Sequence, residues 1–457
     1  MHLRIKSILQ NASLWAMVGV ALRIGSGIIT LPIALRVLSS AELGLYYTFL
    51  GITSVVALFD CGFSHATIRN AAYAMGGAKE FQASGVAESA GLGEPNWRLL
   101  RQLIAAVQIW YRLIGSLLAV LLLFVGTWFL LPIIRNADLP SSNIGCWCLF
   151  ALATSYSFFT TYWTDILYGI GSVKSVTLIQ ISSQLVGILL LAGGLLGGLG
   201  LWSYGISALV GFLIIRLTSQ RVLKRNAKAA FEYEVSTHER NQVLNRLWPM
   251  AWRQGLVMIG AYLTLRSNTL ICSAKLGLEE TGSFGLSLNL INMILQIAMV
   301  PVGLSMPLIG RLRVERDFAQ IRHVFTTRLY GGLVLGAMAL LVVSFVGNSL
   351  LAFIDTQTPL LAKPLFLLLS LILCLEQHHS QYTGLVLTEN KNPFVWPAIL
   401  SGLAIVTLSW LVVGTWGLLG IILVQGLVQL SWNNWFPVVR GMQGLRVAGS
   451  SLHSQVR

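Results

Sequence analysis

The amino-acid sequence predicts an all-α membrane protein with about twelve transmembrane helices in two six-helix bundles. Three observations support this fold class. Only 11% of the 457 residues are charged, 55% are hydrophobic, and the mean hydropathy is +0.73. Apolar windows long enough to cross a bilayer recur along the whole chain. Short motifs also repeat in the same order in the two halves. A soluble domain carries about 25% charged residues, so a soluble protein is excluded.

Twelve apolar windows are predicted to cross the membrane, because a hydrocarbon core about 30 Å thick needs roughly 20 mostly apolar residues per helix. The sequence lacks the alternating segments of about ten residues that are typical of a transmembrane β-barrel, so the spans are expected to be helices. The least regular window contains Glu376, His378 and His379. The windows are 14–37, 43–67, 103–131, 146–169, 175–197, 201–220, 248–273, 283–309, 328–354, 361–387, 394–414 and 416–437.

The basic residues are distributed unevenly between the loops. Of the 31 Lys and Arg residues, 22 fall on the side that holds both termini, 4 fall on the opposite side and 5 lie inside predicted spans. Because cytoplasmic loops carry the excess of Lys and Arg, both termini are predicted to be cytoplasmic and the number of spans to be even. The net charge of +14 is therefore attributed to membrane topology, and no nucleic-acid partner is expected.

The predicted organisation is an N-terminal six-helix bundle (1–222), a cytoplasmic linker (223–247) and a C-terminal six-helix bundle with a short cytoplasmic tail (248–457). Motifs at corresponding places in the two bundles suggest an internal repeat. They are LSSAELGLY at 38–46 with LGLEETGSF at 276–284, GFS at 62–64 with GLS at 303–305, and GLWS at 200–203 with GLLG at 417–420. Six spans per half make the repeats parallel, a layout of transporters, and a substrate site is expected between the halves.

No enzyme motif stands out in the sequence. A GxxxxGK[ST] phosphate-binding loop is absent, and the polar loops are too short for a folded domain. His378 and His379 are adjacent and cannot both bind one metal ion from a regular helix. Cys146 and Cys148 are one residue too close for a zinc or redox CxxC pair. The chain is therefore predicted to be no enzyme and to hold no metal or other cofactor.

Three arginines inside predicted spans are candidate substrate-binding residues. A charge at the bilayer centre costs at least about 2.5–3.5 kcal/mol, so it requires a partner or an aqueous cavity. Arg23 in the first span and Arg266 in the seventh lie at similar depth and correspond by the repeat. Arg253 also lies in the seventh span, but nearer its end, so it either lines a cavity or extends to the membrane surface.

Polar residues at helical spacing form stripes on four further spans. Each stripe either lines a cavity or forms hydrogen bonds between helices, which contribute only about 0.6 kcal/mol per contact. Asn289, Asn292 and Gln296 on the eighth span are candidate substrate-binding residues. The candidates for binding a coupling proton or sodium ion are Asp60 on the second span, Asp165 on the fourth, and Glu376 and His379 on the tenth.

Several motifs resemble those of the Wzx-type polysaccharide biosynthesis flippases. The run LRVLSSAELGLY at 35–46 is similar to the signature of their first loop, and DCGFS at 60–64 followed by Arg69 is similar to the end of their second helix. WGLLG at 416–420 resembles the small-residue turn before their last helix. The resemblance implies a MATE-like fold of the MOP superfamily, with a central cavity lined chiefly by helices 1, 2, 7 and 8.

The resemblance also implies a function and a location. The cargo would be an oligosaccharide linked to undecaprenyl diphosphate, carried by alternating access across the bacterial inner membrane for assembly of O-antigen, capsule or exopolysaccharide. Arg23 and Arg266 would bind the diphosphate as permanently charged donors, while amides and aromatic side chains would contact the sugars. Membrane lipids and the lipid-linked oligosaccharide are the expected partners, together with polysaccharide polymerase and assembly proteins.

Three alternatives remain open at this stage. A cation-coupled multidrug exporter has the same fold but needs an acidic cavity for cationic drugs. A lipid II flippase would be expected to have more cavity arginines and often fourteen spans. A scaffold that transports nothing would have little use for charges inside the membrane.

Overall fold

The structure is a computed structural model that describes residues 12–81, 94–315, 317–387 and 393–455. Within these ranges every regular element is helical, which confirms the predicted fold class. Eight helical stretches are long and apolar enough to cross a bilayer. Each of the twelve predicted windows lies on helical segments.

The described part of the first half contains nine α-helices. They are α1 (Ala12–Val37), α2 (Ser40–Thr53), α3 (Val56–Asp60), α4 (Phe63–Met75), α5 (Trp97–Leu121), α6 (Thr127–Asn136), α7 (Ser142–Gly169), α8 (Val173–Leu196) and α9 (Trp202–Asn226). A π-helical turn at Leu122–Gly126 joins α5 to α6, and a 3₁₀ helix at Lys228–Glu232 follows α9.

Seven described helices follow in the second half. They are α10 (Thr237–Lys275), α11 (Leu278–Gly303), α12 (Met306–Val314), α13 (Phe318–Phe353), α14 (Lys363–Leu387), α15 (Val395–Ser431) and α16 (Phe436–Gln455).

The structure corrects three predicted helix boundaries. The second span, expected as one helix over 43–67, is divided into α2, α3 and α4. The eighth, expected over 283–309, ends at Gly303 and is followed by α12. The seventh begins eleven residues earlier than 248, at Thr237. Apolar windows measure where lipid can surround a helix, and they do not detect breaks inside a span or polar turns that extend beyond it.

The described residues form two compact units. The first comprises the chain up to Leu38 together with Ile52–Met258, and the second comprises Ser39–Gly51 together with the chain from Ile259. Both α2 and α10 are therefore shared between the units. Most of α2 belongs to the second unit, although it precedes the rest of that unit by more than 200 residues in the sequence.

Two helices begin with a capping box, in which a Ser and a Glu three residues later satisfy each other's backbone N–H groups. At the start of α2, the Ser39 N–H donates to Glu42 Oε2 at 2.9 Å and the Glu42 N–H donates to Ser39 Oγ at 3.2 Å. Ser236 and Glu239 form the same pair before α10. The SSAE motif at 39–42 is thus explained as the start signal of α2.

Two motifs paired by the proposed repeat share an unusual backbone conformation. Gly200, just before α9, has φ 51°, and Gly417, inside α15, has φ 54°. L-residues with a side chain rarely adopt this left-handed region, whereas glycine does so at little cost. At Gly417 the backbone leaves the helical conformation, so the stretch labelled α15 consists of two helices that meet at this glycine, and the predicted windows 394–414 and 416–437 begin on one and the other.

Each unit has its own core. In the first unit, α7 packs against α4, α5 and α9, and the fully buried Trp147 donates from Nε1 to Thr127 Oγ1 at 3.1 Å. In the second unit, α11, α13, α14 and α16 surround a cluster that includes Met299, Phe325 and Tyr382. These cores position the polar groups described below.

Candidate functional site

The backbone places Arg23 in the middle of α1 and Arg253 in the first-unit part of α10, whereas both side chains lie outside the described residues. The neighbourhood of Arg23 is nevertheless polar. Gln184 on α8 donates from Nε2 to the Leu22 carbonyl at 3.2 Å and to Ser26 Oγ at 3.1 Å. An amide inside the membrane therefore attaches α1 to α8 at the level of Arg23.

Arg266 lies on α10 and is exposed. Of the side-chain ion pairs in the described part of the chain, none involves Arg266. Tyr262, one helical turn earlier, is close enough to interact with it electrostatically. The Tyr262 hydroxyl also donates to the carbonyl of Gly51 on α2 at 3.3 Å. The second unit therefore presents a guanidinium beside a tyrosine that is oriented by the backbone of α2.

Asn289 on α11 is exposed, and its side chain lies close enough to that of Tyr47 on α2 to interact with it. The rings of Tyr46 and Tyr47 are neighbours, with centroids 5.7 Å apart. The Tyr47 ring lies against Gly285, where a Cβ atom would collide with it. We call Tyr46, Tyr47, Tyr262, Arg266 and Asn289 the polar cluster of the second unit.

The helices that carry the polar cluster meet at one end of the second unit, which we call the crossing end. Here α2 and α11 both begin and α10 ends. Gly44 lies so close to α11 that a Cβ atom on it would collide with the Leu278 carbonyl. The Ser40 hydroxyl donates to the Gln357 carbonyl at 2.8 Å and accepts from the Thr358 hydroxyl at 3.1 Å. The start of α2 is thus held firmly by the second unit.

Distances along the helices show which predicted residues share a level. At a rise of 1.5 Å per residue, Tyr47, Arg266 and Asn289 lie about 11, 14 and 17 Å from the crossing end. Asn292 lies about 21 Å and Gln296 about 27 Å from it, measured in the same way. Arg266 and Asn289 are therefore at similar depth, whereas Gln296 is more than one helical turn farther away. The structure does not place the whole amide stripe of α11 beside Arg266.

Asp60 lies where the second predicted span is broken. Cys61 and Gly62, which follow it, both have left-handed backbone conformations with φ 49° and 74°. Asp60 Oδ2 accepts from the Ser64 N–H at 3.4 Å at the start of α4. The Tyr111 hydroxyl on α5 donates to Asp60 Oδ1 at 2.6 Å. The Asp-x-Gly motif is thus a helix break, of the kind that occurs at membrane depth where it is enclosed by protein or lines a cavity.

Asp165 on α7 lies near Asp60 in the first unit. It is only 5% exposed and lies close enough to Ser64 and Asp60 to interact with both. Its Oδ2 atom has no hydrogen-bond partner in the described part of the chain. Two predicted ion-coupling candidates are therefore brought together around Ser64 and Tyr111. These acids are held by neutral donors.

Glu376 lies in the second unit, on α14, and is 7% exposed. Two side-chain amides of α15 donate to its Oε1 atom, Gln425 at 2.7 Å and Gln429 at 3.2 Å. His379, one turn later, pairs through Nδ1 with Asn434 Oδ1 at 2.8 Å. The structure connects Glu376 and His379 to different partners, so these two candidates do not form one site.

Sequence reasoning missed several residues that complete these groups. Tyr47 stands directly after the LSSAELGLY motif, so the motif was a usable signal. Tyr111, Gln425 and Gln429 stand in apolar runs and carry no local signal. An amide or hydroxyl in such a run becomes informative only when its partner across the helix interface is known.

The family model described as polysaccharide biosynthesis protein matches residues 8–313, which is more than half of the chain. The chain belongs to this family. The resemblance inferred from the runs at 35–46 and 60–64 is therefore confirmed. No curated protein sequence matches the chain significantly.

Solved structures show the fold of this polysaccharide biosynthesis family member. An inward-facing multidrug resistance MATE transporter of the MOP superfamily is similar with a TM-score of 0.65 at 12% identity, covering 93% of this chain and 96% of that one. An outward-facing form of a MATE transporter gives a TM-score of 0.58 at 13% identity, with 97% of each chain covered. A MOP superfamily transporter from Pyrococcus furiosus, for which reverse polarity of the binding pocket suggests a different function, gives 0.54 at 14% identity, covering 97% of this chain and 96% of that one.

The family is thus that of polysaccharide biosynthesis proteins, and the fold is that of MATE and other MOP superfamily transporters. With eight helical stretches in its described part that are apolar enough to cross a bilayer, this is a multi-pass membrane protein. The substrate is a separate question, because identities of 12–14% establish the fold alone.

Proposed function

We propose that this protein translocates an oligosaccharide linked to undecaprenyl diphosphate from the cytoplasmic to the outer leaflet of the bacterial inner membrane, for assembly of a surface polysaccharide. The observation that carries the proposal is Arg266, an exposed guanidinium in a membrane-spanning helix without an ion-pair partner among the described residues. An arginine facing lipid would cost at least about 2.5–3.5 kcal/mol, so a water-lined path with an anionic ligand is favoured.

The chemistry around Arg266 suits a sugar linked to a diphosphate. A guanidinium donates in a planar fork that matches phosphate oxygens. The exposed Asn289 and the partly exposed Tyr46 and Tyr262 supply hydrogen-bonding groups and aromatic faces at a similar depth. Arg23, and Arg253 on α10, are the further proposed donors to the diphosphate, and Asn292 and Gln296 continue the amide stripe along α11.

The acidic residues argue against a cationic drug as substrate. Asp165 and Glu376 are buried, and Asp60 is hydrogen-bonded to Tyr111. The described part of the second unit thus exposes a basic group where a cationic drug would require an acidic one. In the Pyrococcus furiosus transporter of the same fold, reverse polarity of the binding pocket likewise suggests a different function.

The proposed transport cycle is alternating access, in which the two halves open to one side of the membrane at a time. Both termini are proposed to be cytoplasmic, and a polysaccharide polymerase and assembly proteins are proposed as partners. Movement is proposed to be coupled to a proton or sodium ion at Asp60, Asp165, Glu376 or His379, with no other cofactor.

Binding of farnesyl diphosphate by the full-length protein in nanodiscs, measured by calorimetry, tests the proposal. We expect Arg266→Ala to weaken binding at least about tenfold, equivalent to about 1.4 kcal/mol. Arg266→Lys should recover part of it, because a lysine keeps the charge but not the fork. The matched control is Arg135→Ala, which removes another exposed arginine at the end of α6. Equal binding of farnesol, which lacks the diphosphate, would contradict the proposal.

Complementation in the producing bacterium distinguishes the alternatives. We expect deletion of the gene to abolish the surface polysaccharide without loss of viability, and Arg266→Glu to fail to restore it. Loss of viability would instead favour a lipid II flippase. Ethidium efflux that persists in the Arg266→Glu variant would favour a multidrug exporter.

A further inference from the structure

The buried carboxyl of Glu376 is the end point of two chains of side-chain amides. In the first, Asn268 Nδ2 donates to Gln425 Oε1 at 2.8 Å, and Gln425 donates onward to Glu376. In the second, Asn433 Nδ2 donates to Gln429 Oε1 at 2.7 Å, and Gln429 donates to the same Glu376 oxygen. All four amide hydrogen bonds are donated in the direction of the carboxyl, an arrangement that allows each hydrogen bond to polarise the next.

The first amide chain crosses three helices. It runs from α10 at Asn268, through Gln425 on α15, to Glu376 on α14, and these three residues are 3%, 5% and 7% exposed. Asn268 stands two residues after Arg266, about 200° around the helix, so the two side chains lie on nearly opposite faces. The chain therefore attaches the buried face of α10 to a titratable group, at the level where the other face presents Arg266.

The amide chain uses the nitrogen of the Asn268 side chain and leaves its oxygen without a hydrogen bond among the described residues. This oxygen, Oδ1, is buried. Among the described residues, the bond to Gln425 is therefore the side-chain hydrogen bond that joins Asn268 to the neighbouring helices. Arg266 lies on the same helical turn of α10, two residues before Asn268.

Glu376 interacts with none of the described ionisable groups around it. Helices α11, α13, α15 and α16 pack against α14, Arg313 on α12 donates to the Leu385 carbonyl of α14, and α15 contains no ionisable side chain. Of the described side chains, Glu376 interacts with Gln425 and Gln429 only. The described ionisable groups on these helices and on the second-unit part of α10 are Lys363, Cys374, His378, His379 and Tyr382 on α14, Glu279 and Glu280 on α11, Arg311 and Arg313 on α12, Arg322, His323, Arg328 and Tyr330 on α13, Arg440 on α16, and Tyr262, Arg266, Cys272 and Lys275 on α10.

We propose that Glu376 is a positioning residue that binds and releases a proton and thereby controls, through Gln425 and Asn268, how firmly α10 presents Arg266 to the diphosphate. This inference rests on the proposed function. Hydrogen bonds to an ionised acceptor are roughly twice as strong as those to a neutral one. Deprotonation tightens the amide chain and fixes α10, whereas protonation loosens it. Among the four ion-coupling candidates, the proposal thus concerns Glu376 alone. It connects this residue to the ligand through Gln425, Asn268 and the helix that carries Arg266.

The test compares wild type with Glu376→Gln, which keeps the shape and the acceptor oxygen but cannot titrate. Farnesyl diphosphate binding to the full-length protein in nanodiscs is measured between pH 5 and pH 8. Titration of the ligand itself is common to both proteins and cancels in the ratio of their Kd values. We expect the ratio to approach one at low pH, where both side chains are neutral, and to depart from one by at least about fivefold as pH rises.

Substitution of Asn268 breaks the amide chain and leaves Glu376 unchanged. It therefore separates an effect on the position of α10 from a direct effect of the Glu376 charge on the ligand. We expect Asn268→Ala to bind with the same dependence on pH as Glu376→Gln, although Glu376 still titrates; Asn268→Leu, of similar volume, serves if the alanine variant does not fold. Glu279→Gln, on the exposed first turn of α11, should leave the pH profile unchanged.

Three outcomes would overturn the inference. They are a Kd ratio that stays flat with pH, an unaltered pH profile in the Asn268 variants, and a ratio that depends on sodium at constant pH. Failure of the wild type to bind farnesyl diphosphate at any pH would instead refute the proposed function.

Discussion

Gly44 and Gly282 bring α2 and α11 into backbone contact. A Cβ atom on Gly282 would lie 3.4 Å from the Gly44 nitrogen and 2.6 Å from the Ser40 carbonyl oxygen. Cβ atoms essentially never lie within 3.0 Å of another heavy atom. A side chain at either position would therefore force the two helices apart. This contact explains why the second unit includes the start of α2.

Gly44→Ala is expected to separate α2 from α11 and to displace Tyr47 from Asn289. The obstacle is the Leu278 backbone, which cannot rotate away as a side chain can. A cost of about 1–3 kcal/mol, typical of overpacking, is expected. Thermal unfolding of the purified protein, followed by tryptophan fluorescence, measures it. Gly414→Ala is the matched control, since a Cβ atom there meets nothing within 4 Å. Equal unfolding midpoints for the two variants would contradict the prediction.

Tyr111→Phe is expected to destabilise the first unit by about 1–3 kcal/mol, because Asp60 Oδ1 loses its hydroxyl donor. The ring contacts with Phe158 and Tyr162 are retained, so the effect measures the hydrogen bond. A double-mutant cycle with Asp60→Asn should give a coupling energy of at least about 0.5 kcal/mol. Tyr168→Phe removes an exposed hydroxyl bonded to Gln180 at 3.5 Å and should be neutral. Additive effects of the first two substitutions would argue that the bond contributes nothing.

The contact between the start of α10 and α5 is expected to survive mild acid. Hydrogen bonds from the Ser236 backbone and hydroxyl, and then from Arg98, lower the pKa of Glu239 from 4.5 to about 2. Because the pKa is depressed in the folded state, the stabilisation is complete above about pH 4.5 and is lost as pH falls towards 2. Hydrogen exchange of the peptides 97–102 and 237–247 measures this contact. Glu239→Gln should reduce their protection equally at pH 7 and pH 5.5, and less at pH 3.

The control for this experiment is Glu234→Gln, since Glu234 is an exposed acid in the same polar segment. It should leave protection unchanged at every pH. A loss of wild-type protection already between pH 7 and pH 5.5 would show that another group titrates at this contact.

Much of the fold was predictable because it depends on local composition. A charged fraction of 11% and windows of about 20 apolar residues leave helical membrane spans as the stable solution, since lipid cannot satisfy backbone polar groups. The motifs at 35–46 and 60–64 indicated the family. They also contain the capping box of α2 and the helix break after Asp60, although neither the cap nor the break was predicted from them.

The association of polar groups could not be predicted in the same way. Asp60 and Tyr111 are 51 residues apart in the chain, and Asn268 and Gln425 are 157 apart. Whether such side chains meet depends on how each helix is rotated about its axis and how closely two helices cross, which hydropathy does not encode. The distribution of arginines and acids along the chain was thus determined by the sequence. Only the tertiary structure decided that Arg266 stays exposed while Glu376 is buried against amides, because packing against neighbouring helices selects the face that each helix buries.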